Sequence, residues 1–177
     1  TDKGSPLLVN MQSIVKKLQS KNEDVHIKLG MRYGNPSIEE ALNYFKNQNI
    51  FKILVLPLYP QAGSPTNSST FDEISRVLNG WPWLPNLRFV NGYHDHEDYI
   101  LAVSNSIKKS TSNCDDIEKI IFSFHGMPVR YLNEGDPYYC FCHKTARLVA
   151  ERLKLSEDKY ILSFQSRFGS EEWLQPY

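Results

Sequence analysis

The stretch IEKIIFSFHGMP, Ile117 to Pro128, decides the fold of this chain. Its first eight residues carry β-branched and aromatic side chains at the density of a strand covered on both faces, the mark of a parallel sheet. Gly126 and Pro128 then break the strand, because glycine accepts turn conformations that other residues resist and proline has no N–H for a ladder. His125 is left at the strand's carboxyl end, where open parallel α/β sheets hold their ligands. A neutral imidazole there can take a proton or bind a metal. Lone histidines in such turns also serve as plain hydrogen-bonding residues of the loop, so position alone does not assign the chemistry.

Outward from this strand, helices and strands alternate, as in a parallel sheet with crossover helices. Strands are expected at 24–30 (DVHIKLG), 51–58 (FKILVLPL), 87–92 and 160–164. A helix is expected to begin at Pro36, with Glu39 and Glu40 at the positive end of its dipole and Ala41, Leu42 and Phe45 on its apolar face. Further helices are expected at 68–79, 94–110 and 141–153. The segment WPWLP, Trp81 to Pro85, is the only proline-rich interruption, and a domain boundary is placed beside it: residues 1–86, then 87–177. No internal repeat or low-complexity tract occurs.

A chain of 177 residues, 41% hydrophobic, can bury a real core. Its 20 basic and 20 acidic side chains cancel, which leaves no field to attract nucleic acid. No apolar run approaches the ~20 residues that span a bilayer, and the start, TDKGSPLLVN, lacks the regions of a signal peptide. Three cysteines, Cys114, Cys140 and Cys142, fit a reducing compartment better than a disulfide framework, so a soluble cytoplasmic protein is expected. His94-Asp-His96 and Cys140-Phe-Cys142-His143 gather metal-type ligands, but neither has the usual spacing of a structural zinc site. No G-x-G-x-x-G fingerprint supports dinucleotide binding.

Three blocks stand in order from the SFHGMP strand end to the last residue: SFHGMP followed by NEGDPY, then FQSRFG, then EEWLQPY. Upstream stand GSPL at Gly4 to Leu7, GMRYGNPS at Gly30 to Ser37 and LPLYPQ at Leu56 to Gln61. In this ordered set the chain resembles the ferrochelatases, which insert iron into protoporphyrin, and the resemblance covers essentially the whole chain. It implies a chelatase-like α/β fold: two Rossmann-like parallel-sheet domains with the porphyrin in a cleft between them. Residues 1–86 would be most of the first domain and 87–177 the opening part of the second, incomplete at both ends. A fragment of this kind is expected to be inactive alone, since the carboxylate that faces the catalytic histidine in the family lies beyond Tyr177.

The resemblance implies that His125 is the catalytic histidine and the metal contact. It further implies Arg32 against a propionate, Trp173 against a ring face and Tyr93 on the same wall; an ion pair for Arg32 and ordinary core packing for Trp173 are the competing readings. The substrates implied are protoporphyrin IX and Fe2+. No iron-sulfur cluster is expected, because the family's cluster cysteines fall mostly in a carboxyl-terminal extension. Peripheral membrane association and oligomeric state stay open. After LYPQ the family usually has an aromatic, whereas this chain has Ala62, which would leave a gap on one wall that Tyr in its place should fill. Glu134 and Asp136 are near enough in sequence to orient His125, although capping the helix that follows suits a turn carboxylate better. Two other classes remain: a non-catalytic porphyrin-binding module, and a phosphotransfer enzyme of the Arg-His-Gly type, for which Phe124 stands where the arginine is needed.

Overall fold

A computed structural model describes residues 5–114 and 116–177. The chain divides by packing into two units, one of residues 5–55 and 69–89, the other of 56–68 and 90–177.

The first unit contains α1 (Pro6–Gln19), α2 (Ile38–Asn47), β1 (Lys52–Val55), α3 (Ser69–Leu78) and β2 (Asn86–Phe89). Strands β1 and β2 are parallel, in register from Lys52↔Asn86 to Val55↔Phe89, with α3 between them in the chain. Helix α2 starts at a reciprocal cap: the Ser37 hydroxyl accepts the Glu40 N–H at 3.1 Å while the Glu40 carboxylate accepts the Ser37 N–H at 2.6 Å. Such a cap stabilises a helix by about 1 kcal/mol and fixes where it begins. Ile38, Leu42, Ile53, Ile74, Val77 and Leu78 form the core.

The second unit contains α4 (Glu97–Thr111), β3 (Ile120–His125), α5 (Val129–Asn133), α6 (Tyr138–Leu153) and β4 (Tyr160–Gln165). β3 and β4 are parallel, and His125 pairs in register with Gln165 at the carboxyl end. Phe122, Leu162 and Phe164 point from this sheet into a core with Ile100 of α4 and Cys142, Ala146, Val149 and Ala150 of α6. Burying Phe164 alone contributes roughly 1.5 to 3 kcal/mol.

Three expectations are corrected. Residues 24–30 form no strand: the Ile27 N–H donates to Gln19 Oε1 at 3.0 Å, and Val25 O accepts from the same side chain at 2.7 Å. A strand exists only through a hydrogen-bonded neighbour, and here the end of α1 takes those bonds. Helix α1 itself, entered through Pro6, was not expected at all; none of its residues is buried. The β3–β4 sheet is covered on one face only, since Ile121 is 63% and Ile161 41% exposed opposite the α4/α6 side. Among the described residues no helix is long and apolar enough to cross a membrane.

Candidate functional site

The described chemistry converges on the end of β3, within the second unit. The His125 side chain is exposed there, and its Nδ1 lies 2.8 Å from the Gly126 carbonyl oxygen. A carbonyl can only accept, so Nδ1 carries a proton, and in the neutral imidazole Nε2 is the nitrogen with the lone pair. The peptide joining His125 to Gly126 is held at both polar ends. Its N–H donates to the Gln165 carbonyl at 2.6 Å, and its oxygen accepts from the Tyr138 hydroxyl at 3.0 Å.

Behind this turn stands Trp173. The last segment of the chain lies antiparallel to the turn: the Val129 N–H donates to Glu172 O and the Leu174 N–H to Met127 O, each at 2.9 Å. Trp173 is 5% exposed, its ring stands 5.0 Å from that of Phe168, and its Nε1 is buried without a partner. Gly126 is required by this close approach: a Cβ there would lie 2.9 Å from Gln165 O and 3.0 Å from Trp173 Cε3.

Asp136 joins the loop after β1 to α6. One carboxylate oxygen accepts the Ser64 N–H at 2.6 Å and the other the Tyr138 N–H at 2.9 Å. This is the helix-start role expected of a turn carboxylate; the structure shows no contact from Asp136 to the imidazole. Burial pushes the Tyr138 hydroxyl well above its ordinary range, and the Cys142 thiol one turn along is pushed up to about 12, also chiefly by burial. Both are protonated at neutral pH.

Ala62 does not border a gap. It is 2% exposed, and its Cβ sits 3.2 Å from where a Cβ on Gly92 would stand. The small side chain is what lets the 60–62 and 92–93 segments approach, with the Tyr93 N–H donating to Pro60 O at 2.9 Å. The expectation that Tyr at 62 would fill space on a wall is therefore overturned. Tyr93 is half-buried edge-on to Tyr99, ring centroids 5.5 Å apart, and burial raises its hydroxyl pKa. Gln61 donates to Thr145 Oγ1 at 2.9 Å.

Arg32 belongs to the first unit, on a turn closed by the Met31 N–H donating to Pro36 O at 2.7 Å, with Gly34 at φ 101°. Its Nε donates to the carbonyl and the hydroxyl of Ser69, at 2.9 and 3.0 Å, and its guanidinium lies 4.7 Å from the Tyr33 ring centroid. Of the four residues singled out in the sequence, the structure packs Trp173 against the His125 turn and attaches Tyr93 to the 60–62 loop.

The remaining metal-type side chains do not converge. His94 is buried and stacked on Phe141 at 3.7 Å, with burial lowering its pKa, while His96 is the exposed N-cap of α4. Among the described residues no group of three or more His, Cys, Asp or Glu side chains is placed to hold a metal.

Comparison with known proteins decides the family. The sequence model of the Ferrochelatase family matches residues 1–177. The chain belongs to the ferrochelatase family. It is 49% identical to "Ferrochelatase 2" of Shewanella oneidensis over 181 residues, all of this chain and 55% of that protein. Against "Ferrochelatase" of Nitrosococcus oceani it is 48% identical over 98% of this chain and 48% of the relative, and against that of Idiomarina loihiensis 45% over all of this chain and 50% of the relative. The chain thus spans about half the length of these ferrochelatases. Its two parallel sheets with crossover helices are the chelatase-like α/β fold. One residue of the ferrochelatase pattern passed unremarked in the sequence: Tyr138 of NEGDPY, whose apolar neighbours hide that its hydroxyl reaches back to the SFHGMP turn.

Proposed function

We propose that the protein inserts Fe2+ into protoporphyrin IX, releasing two protons and giving protoheme, with His125 as the group that takes a pyrrole proton. The single observation that carries this is the imidazole at the strand end, whose Nδ1 is committed to the Gly126 carbonyl so that Nε2 is the free base. One lone pair holds one proton, so His125 acts twice per turnover, discharging to solvent between the two. The same lone pair could instead meet the incoming iron, and the two roles exclude one another at any instant.

Arg32, with guanidinium nitrogens beyond the Nε that Ser69 holds, suits a propionate. Tyr93 and Trp173 are carried as residues framing the ring; Trp173 is so enclosed that it can meet a porphyrin only through a narrow edge. The division into a first domain of residues 1–86 and the opening of a second at 87–177 follows strand order along the chain; by packing, residues 56–68 join the later segment. We place the protein in the cytoplasm, with no iron-sulfur cluster. The 177 residues alone are proposed to be inactive.

The test is a visible-spectrum titration with protoporphyrin, with and without Fe2+ or Zn2+. Binding followed by conversion to the two-banded metalloporphyrin spectrum in the encoded protein supports the reading. Binding with no conversion would make the protein a porphyrin-binding module instead.

A further inference from the structure

We infer that Tyr138 is a positioning residue for His125, fixing which imidazole nitrogen is the base. The inference rests on the reading of His125 as the proton acceptor and deepens it. The acceptor that sets the tautomer is the Gly126 carbonyl, which belongs to the next peptide, joining Gly126 to Met127, and its direction is set across the Gly126 Cα by the peptide joining His125 to Gly126. Such a peptide swings about its Cα–Cα axis unless both polar ends are held. The β4 end holds one, through the bond from the Gly126 N–H to Gln165 O. The other end, the last carbonyl of β3, is held by the Tyr138 hydroxyl at 3.0 Å.

That hydroxyl is well suited to the task. Burial keeps it protonated at neutral pH, so it donates. Its proton goes to His125 O, the one hydrogen bond seen from this hydroxyl among the described residues. The ring is pinned by its surroundings: a Cβ on Gly63 would lie 3.3 Å from Tyr138 Cβ, and Asp136 accepts the Tyr138 N–H. Without the hydroxyl, the His125 carbonyl loses a partner, and the Gly126 carbonyl, one Cα further on, loses part of what orients it towards Nδ1.

The experiment is Tyr138→Phe, which removes one oxygen and leaves the ring, read by 15N NMR of the His125 ring nitrogens against pH. Wild type should show two well-separated resonances, protonated Nδ1 and bare Nε2. In Tyr138→Phe the pair should move towards the averaged positions of a free imidazole. Unchanged His125 resonances in a folded Tyr138→Phe protein would overturn the inference, since a residue that merely packs would lower the melting temperature and leave them alone. If that variant does not fold, 3-fluorotyrosine installed at position 138 keeps ring and hydroxyl while strengthening the donor. The same resonances should then move, and their constancy would again overturn it. A His125→Ala protein with full activity would remove the catalytic reading while leaving the positioning result intact, so the two failures are distinguishable.

Discussion

Gly126→Ala tests the geometry of the site at its tightest point. The new Cβ would lie 2.9 Å from Gln165 O, a backbone atom that already accepts the residue's own N–H at 2.6 Å, and 3.0 Å from the ring of Trp173. Neither neighbour is a flexible chain end. The ring is buried, and its backbone is tied to the turn on either side, through Glu172 and Leu174. Overpacking of this kind costs about 1 to 3 kcal/mol, and stretching the β3–β4 bond adds about 1 more. For a chain of this size each kcal/mol moves the melting temperature by roughly 2 to 4 °C, so a fall of roughly 4 to 16 °C is expected. Thermal unfolding followed by circular dichroism reads it, with Gly80→Ala as the comparison. There a Cβ would meet only Val77 O, at an ordinary 3.5 Å, so the change should lie within about 1 kcal/mol of zero and towards stabilisation. A Gly126→Ala protein that melts with the wild type would refute the packing of Trp173 against the His125 turn.

Two further outcomes follow from burial. Ala62→Tyr should destabilise by about 1 to 3 kcal/mol and leave porphyrin affinity no tighter, because the 2% exposed methyl faces Gly92 rather than open space; a tighter porphyrin titration would reverse that conclusion. Stability should also fall as the pH drops below about 6.5, where an unfolded imidazole titrates, and be flat above it, since burial lowers the affinity of His94 and His143 for protons in the folded state. Around His94, the Asp95 carboxylate at 3.8 Å opposes this shift and Lys144, bonded to Asp95 at 2.5 Å, reinforces it. His94→Phe keeps the stack on Phe141 and should flatten part of the slope in urea unfolding between about pH 8 and about pH 5. An identical slope in both proteins would show that His94 is not responsible.

What was legible in the sequence was whatever a local pattern dictates. The run from Ile120 to His125, the apolar stripe of α6 and the strand from Tyr160 carry their periodicity in adjacent residues, and Gly126 and Pro128 mark where β3 ends. Residues 24–30 read as a strand for the same reason, yet strand formation depends on a neighbour, and the side chain of Gln19 took the backbone groups instead. Helix α1 was legible too, with Leu7, Met11, Ile14 and Leu18 at helical spacing behind Pro6, and the reading passed over it. At the site, His125 was visible as an imidazole beside two chain-breaking residues. The hydroxyl of Tyr138, thirteen residues on, was not, because whether a tyrosine points to a core or to a carbonyl is settled by how α6 lies on the sheet. The direction of Ala62 was hidden likewise: a missing aromatic reads as a vacancy until the close approach of Gly92 is known.

The central claim is that the free Nε2 of His125 accepts the protons that leave the porphyrin. Its most direct test is the initial rate of Fe2+ insertion by the encoded protein, wild type against His125→Ala, with porphyrin affinity and melting temperature measured on the same samples. Loss of a general base should slow insertion by about 10²- to 10⁴-fold. Because the side chain is exposed, the melting temperature should stay within a few degrees of wild type. Insertion at the wild-type rate by a folded His125→Ala protein would contradict the account.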